Sequence, residues 1–181
     1  MKIFVRYGHS EEFPGASSQY GDEVEIIREY APYLAQKLYY AGHTVYTFDP
    51  DTYFIDYDSA DKELMAGVNL ANSYGVDLFV SCHVNSISNP YESYTTVLTR
   101  SNDNLAMTIG NSIKSTVSNL LGISNSGLQH PTDKGELNYT NMPALIIEPF
   151  FVSNQSDCNA YNSVGGQALG EAIADAILAC I

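Results

Sequence analysis

Three apolar runs constrain this chain more than any other feature: "KIFVRYGHS" (2–10), "VDLFVSCHVN" (76–85) and "PALIIEPF" (143–150). In each, Val, Ile, Leu and Phe follow one another without polar alternation, the pattern of strands covered on both faces. Such strands belong to parallel sheets, which require a crossover segment between each pair. Helical patterns supply these crossovers. Residues 23–41 carry Ile27, Tyr30, Ala31, Leu34 and Leu38 on one face and close at Gly42, and Pro32 predicts either a helix start or a kink there. Segments 60–75, 103–122 and 164–181 read as further helices, with Gly75 and Gly122 as C-terminal stops and Asp103 near a start. "HTVYTF" (43–48) reads as a second strand, and the alternation in "SYTTVLT" (93–99) predicts a strand exposed on one face. Residues 123–142 have weak periodicity and read as loop. The expected fold is α/β: one domain over 1–181 with a mostly parallel, twisted central sheet flanked by helices on both faces.

Each of the three buried runs ends on a side chain able to bind a metal or move a proton: His9, His83 and Glu148. Ligands of open α/β sheets sit outside the carboxyl ends of the strands, so the topology predicts that these three converge. A carboxylate after the first strand completes a set, and spacing alone does not choose among Glu11, Glu12, Glu23, Glu25 and Glu29. Two imidazoles and a carboxylate are the donors of a catalytic zinc with one position open for water, and a further glutamate serves as general base. Glu148 is the sharpest clue, because an ionised carboxylate at the end of "ALII" is costly to bury without a partner. Its plain alternative is a salt-bridged strand exit.

The other polar residues read as structural. His43 follows a helix-ending glycine and is expected to be a surface cap, and His130 a solvated loop residue. Asp49, Asp51, Asp56, Asp58 and Asp61 lack the glycine and final glutamate of an EF-hand loop, so a solvated acidic face is expected. Eight Lys and Arg against a net charge of −13 argue against nucleic acid and anionic membranes as partners. Cys82, Cys158 and Cys180, odd in number and without paired spacing, are expected to be free thiols. No apolar run approaches the ~20 residues of a membrane helix, and the first residues lack the charged start and apolar stretch of a signal peptide.

The order of these pieces resembles the zinc-dependent N-acetylmuramoyl-L-alanine amidases of the amidase 3 type, the catalytic domains of bacterial autolysins and phage endolysins. The resemblance runs over nearly the whole chain. It is carried by "YGHS" with the following "PGA", by a glutamate opening the long helix that closes in "AGHTVY", by "ANSYGVDLFVSCHVN", and by "PALIIEPFFVSN". It implies zinc ligands at His9, His83 and, counting back from Gly42, Glu23 rather than Glu25. It implies Glu148 as the catalytic residue, with Asn85, Ser10 and Asn154 near substrate. The chain departs from the family pattern at Ser10, where glycine is usual, at Pro149, and in the Asp-rich "FDPDTYFIDYD" where an arginine is common.

The activity implied is cleavage of the amide between N-acetylmuramic acid and L-alanine in peptidoglycan, with one Zn²⁺. The alternatives are a zinc peptidase or deacylase acting on another amide, and a peptidoglycan-binding module without catalysis. The expected setting is the cell wall, reached as a released phage or prophage lysin or as part of a secreted autolysin, without membrane insertion. A chain at −13 is repelled by anionic wall polymers, so a separate wall-targeting domain, absent from this chain, is expected to assist it.

Overall fold

Strand β1 (Lys2–Tyr7) is an interior strand of the sheet, and its Ile3, Phe4 and Val5 have no exposed surface. In the computed structural model, which describes residues 1–53 and 57–181, β1 is followed by a two-stranded ribbon, β2 (Ser17–Ser18) with β3 (Gly21–Asp22), and then by α1 (Glu23–Tyr40). The crossover pattern then repeats through β4 (Thr44–Phe48), α2 (Ala60–Tyr74) and β5 (Leu78–Cys82). The second half runs β6 (Thr95–Thr99), α3 (Asn104–Leu121), β7 (Asn125–Gln129), α4 (Gly135–Asn138), β8 (Ala144–Glu148), α5 (Gln155–Val164) and α6 (Gly166–Leu178). The six-stranded sheet has the order β4-β1-β5-β8-β6-β7. All its pairings are parallel except β6 with β8.

Alternation along each strand divides the interior in two. Ile3, Val5, Leu78 and Val80 point to one face and pack with Ile27, Tyr30 and Leu34 of α1, Ile109 and Ile113 of α3, and Leu169 and Ile173 of α6. Phe4, Phe79 and Ile146 point to the other face, against Val68 and Ala71 of α2 and Leu137 of α4. Each fully buried Leu, Ile or Phe contributes about 1.5–3 kcal/mol over its exposed state. Helices α1 and α6 lie unusually close: a Cβ on Gly170 would stand 2.2 Å from the Tyr30 carbonyl oxygen, and one on Gly166 2.5 Å from that of Glu29.

Three sequence expectations are corrected, and one open alternative is narrowed. Residues 123–142 are not all loop: they contain β7, at the sheet edge, and the single turn α4. Strand β6 is buried along its whole length rather than on one face. Its threonines tolerate this because Thr95 Oγ1 donates to Pro149 O (2.7 Å) and Thr96 Oγ1 to Gly127 O (3.0 Å). Helix α5 precedes the expected closing helix, capped by Asn154. Pro32 does not start α1, which continues through it at the cost of one helical hydrogen bond.

The acidic run divides. Asp49 and Asp51 pair with Arg28 at 2.6 and 2.8 Å, Asp58 pairs with Lys62, and Asp56 lies outside the described residues. The three cysteines are free. Among the described residues, no helix is long and apolar enough to cross a membrane.

Candidate metal centre

The carboxyl ends of β1, β5 and β8 open on a cavity of 950 Å³ whose wall includes His9, Glu23, His83 and Glu148. Adjacency in the sheet does most of the work, since β1 pairs with β5 and β5 with β8 in parallel register. Glu23 arrives from the first position of α1, where the helix dipole favours a negative charge. The helix phase settles which glutamate faces the site: Glu23 is buried and Glu25 exposed.

Donor atoms of His9, Glu23 and His83 all lie within 4.8 Å of one another. Glu23 Oε1 stands 3.3 Å from His9 Nε2 and 3.1 Å from His83 Nδ1, and accepts the Val84 N–H at 2.9 Å. Its Oε2 accepts the Ala16 N–H at 2.9 Å. The two imidazole planes are nearly perpendicular, at 88°. His9 Nδ1 is 3.1 Å from Phe13 O, which can only accept, so Nδ1 carries a hydrogen and Nε2 is the nitrogen turned to the cluster.

The backbone around this cluster is shaped for it. His9 adopts a left-handed conformation (φ 64°), uncommon for a residue with a side chain. A Cβ on Gly15 (φ +73°) would stand 2.6 Å from Glu23 Oε2 and 2.7 Å from His9 Nε2. A Cβ on Gly8 would stand 2.7 Å from His83 Cε1. Glycine at both positions leaves room for the ligand side chains.

Charges in the site are mutually dependent. Burial pushes Glu23 up, but hydrogen bonds from His83 and His9 outweigh it and hold the carboxyl well below the usual range. Burial pulls His83 down, and the carboxylates of Glu136 and Glu23 outweigh that, raising it to about 10. Glu148 is raised to about 7, chiefly by burial, with the His83 charge opposing. Its Oε2 is buried and has no hydrogen-bond partner among the described residues. Two imidazole nitrogens and a carboxylate oxygen match the donor set of a catalytic zinc, and the Gly15 cradle and unpartnered Glu148 oxygen fit a metal with a reacting group beside it.

The remaining sequence candidates lie as follows. Asn85 lines the cavity, its backbone bonded to Phe150 O and Val152 N. Ser10 is buried in the turn after β1, where its hydroxyl accepts the Phe13 N–H. Asn154 is buried as the cap of α5, accepting from Ser156 and Asp157 N–H and donating to Glu92 O. His43 and His130 lie outside the cavity wall. Glu136 was not foreseen: it is a buried carboxylate in the cavity wall, and "DKGELN" around it has the composition of a surface turn.

A parallel-rich sheet with a His–Glu–His cluster at its carboxyl edge defines an α/β protein whose site could hold a metal. The chain belongs to the N-acetylmuramoyl-L-alanine amidase family Amidase_3, whose family model matches residues 3–179. Two curated relatives, both uncharacterized proteins of Clostridium perfringens, are 29% identical over 179 residues and 28% identical over 181 residues. Each match covers 98% of this chain and 51% of the relative, so the chain spans about half the length of the curated relatives it matches. Among solved structures, the catalytic domain of the CD27L endolysin targeting Clostridia difficile superposes with a TM-score of 0.86 at 24% identity, covering 99% of this chain and 97% of that one. An N-acetylmuramoyl-L-alanine amidase from Clostridium difficile 630 gives 0.83 at 23% identity, covering 98% and 95%. These likenesses show a shared fold.

Proposed function

We propose that this chain hydrolyses the amide between the lactyl group of N-acetylmuramic acid and L-alanine in peptidoglycan, using zinc held by His9, Glu23 and His83. The observation that carries the reading is a buried, unpartnered Glu148 carboxylate oxygen sharing one cavity with a His–Glu–His cluster, in a chain of this family. Bound there, zinc supplies a Lewis acid that polarises the substrate carbonyl and acidifies water. Glu148 accepts a proton from the attacking water and returns it to the leaving L-alanine nitrogen, a role suited to a carboxyl raised to about 7. Phe13 O fixes the His9 ring, and the Ala16 and Val84 N–H groups hold both oxygens of Glu23. These contacts keep the donor atoms aimed at one point before substrate arrives.

The test combines elemental analysis of the purified protein with an assay for new L-alanine amino termini in digested walls. One zinc per chain with L-alanine release supports the proposal. Release of a different amine points to another amide, and no zinc with no release removes the enzymatic reading. We further propose that the domain acts at the cell wall, as part of a lysin or a secreted autolysin, assisted by a wall-targeting region. The relatives of twice the length and the net charge of −13, unfavourable near anionic polymers, support this. Strong lysis by the isolated chain at low salt counts against a targeting requirement.

A further inference from the structure

Glu136 forms part of the cavity wall, yet the proposed reaction assigns it no task. Its carboxylate is held in place by the sheet. Oε1 accepts from Arg6 Nη1 at 3.1 Å and from the Ser81 hydroxyl. Arg6 and Ser81 are register partners on β1 and β5, so adjacent strands present both donors on one face. Arg6 is itself fixed by Glu63, whose Oε1 lies 3.3 Å from Nη2. From this anchor the carboxylate meets His83: Nε2 stands 3.4 Å from Oε1 and 3.4 Å from Oε2. The opposite nitrogen of the same ring, Nδ1, stands 3.1 Å from Glu23 Oε1.

We propose that Glu136 is a positioning residue that accepts the Nε2–H of His83 and thereby leaves the Nδ1 lone pair facing the Glu23–His9 cluster, where these residues would hold zinc. The inference rests on the metal-site reading above. Both ring nitrogens face a carboxylate; with a metal held by Glu23 and His9 the Nδ1 hydrogen would be lost, and Glu136, which can only accept, would keep the remaining hydrogen on Nε2 and the lone pair on Nδ1. Without that partner either nitrogen can carry the hydrogen, and half of the arrangements turn a donor toward the metal. Rotation of the ring is restricted as well, because Gly8 lies against its Cε1 edge. His9 receives the same orientation from Phe13 O, so each imidazole has its own acceptor on the side away from the cluster. Two glutamates of the cavity wall outside the ligand set therefore divide their tasks: Glu136 is occupied by three donors, whereas among the described residues an oxygen of Glu148 has none.

The test is a zinc titration against a competing chelator on the wild type, Glu136→Gln and Glu63→Gln, together with long-range ¹H–¹⁵N spectra of the zinc-loaded wild type. In Glu136→Gln an amide NH₂ replaces one oxygen and favours an Nδ1–H tautomer. Zinc affinity is expected to fall about 10–100-fold, the range seen when partners of metal-bound histidines are lost. Glu63→Gln, which perturbs the same buried network from its other end, is expected to keep wild-type affinity. The spectra are expected to show the His83 proton on Nε2 and the metal on Nδ1. Wild-type affinity in Glu136→Gln, an equal loss in Glu63→Gln, or a proton on Nδ1 of zinc-loaded His83 overturns the proposal. The wild-type spectrum decides even where a variant does not fold. A wild type that takes up no zinc overturns the metal-site reading itself, a result distinct from the others.

Discussion

The hydroxyl of Tyr30, fully buried in α1, donates to the carbonyl oxygen of His83 at 3.0 Å. The bond ties the helix that carries Glu23 to the strand end that carries His83, across the core face of the sheet. Tyr30→Phe removes the donor and leaves a carbonyl buried without it. The expected cost is about 1–3 kcal/mol, the penalty for an unsatisfied buried polar group, read as a lower melting temperature with the folded-state spectrum retained.

Separate losses are expected from the two halves of the site. His9→Ala or His83→Ala removes a proposed ligand, so zinc measured after dialysis is expected to fall well below one per chain, with helix content unchanged by circular dichroism. Glu148→Gln is expected to keep its zinc and lose about 10²–10⁴-fold in kcat, the usual contribution of a positioned general base. Full activity in Glu148→Gln removes that residue from the proposed mechanism.

Gly15 tests how closely the loop after β1 fits the cluster. Alanine there meets the left-handed backbone, costing roughly 1–2 kcal/mol, and its Cβ falls 2.6 Å from both Glu23 Oε2 and His9 Cδ2. Gly15→Ala is expected to weaken zinc binding in a chelator competition more than it lowers the melting temperature. Unchanged zinc affinity would mean that the loop adjusts.

Gly170 tests the contact between α1 and α6. Alanine normally stabilises a helix interior relative to glycine by about 0.8–1.0 kcal/mol. Here its Cβ would lie 2.2 Å from the Tyr30 carbonyl oxygen and 2.9 Å from Leu34 N, both backbone atoms that cannot rotate away. Gly170→Ala is therefore expected to destabilise, by about 1–3 kcal/mol as in other overpacked cores, in thermal or denaturant unfolding. A stabilised variant would show that the helices separate at little cost.

Much of the architecture was legible because its signals are local. The apolar runs of β1, β5 and β8 need two covering layers whatever the rest of the chain does, and α2 and α3 end at Gly75 and Gly122, both left-handed, as their patterns predict. Chemical type at the ends of buried strands brought His9, His83 and Glu148 forward, and the resemblance in "YGHS", "SCHVN" and "IIEPFF" gave each an expected role. The misread segments are those whose stability comes from elsewhere. Edge strand β7 contains "NSGLQ", α4 is a single turn held by the buried Leu137, and β6 is a threonine-rich strand whose hydroxyls bond to carbonyls 31 and 54 positions away.

Burial on two faces and side-chain type are properties of short segments, so the class of fold and the placement of His9, His83 and Glu148 at its carboxyl edge could be read before any packing was known. The residue pattern left five glutamates open and the resemblance favoured Glu23; that Glu23 turns inward and Glu25 outward follows from the phase at which α1 docks on the sheet. Only the tertiary structure brought Glu136 to His83, through the β1–β5 register that sets Arg6 beside Ser81 and a helical turn more than fifty residues further along the chain. A carboxylate acquires such a role from its neighbours in space, and those neighbours are fixed by strand pairing and packing.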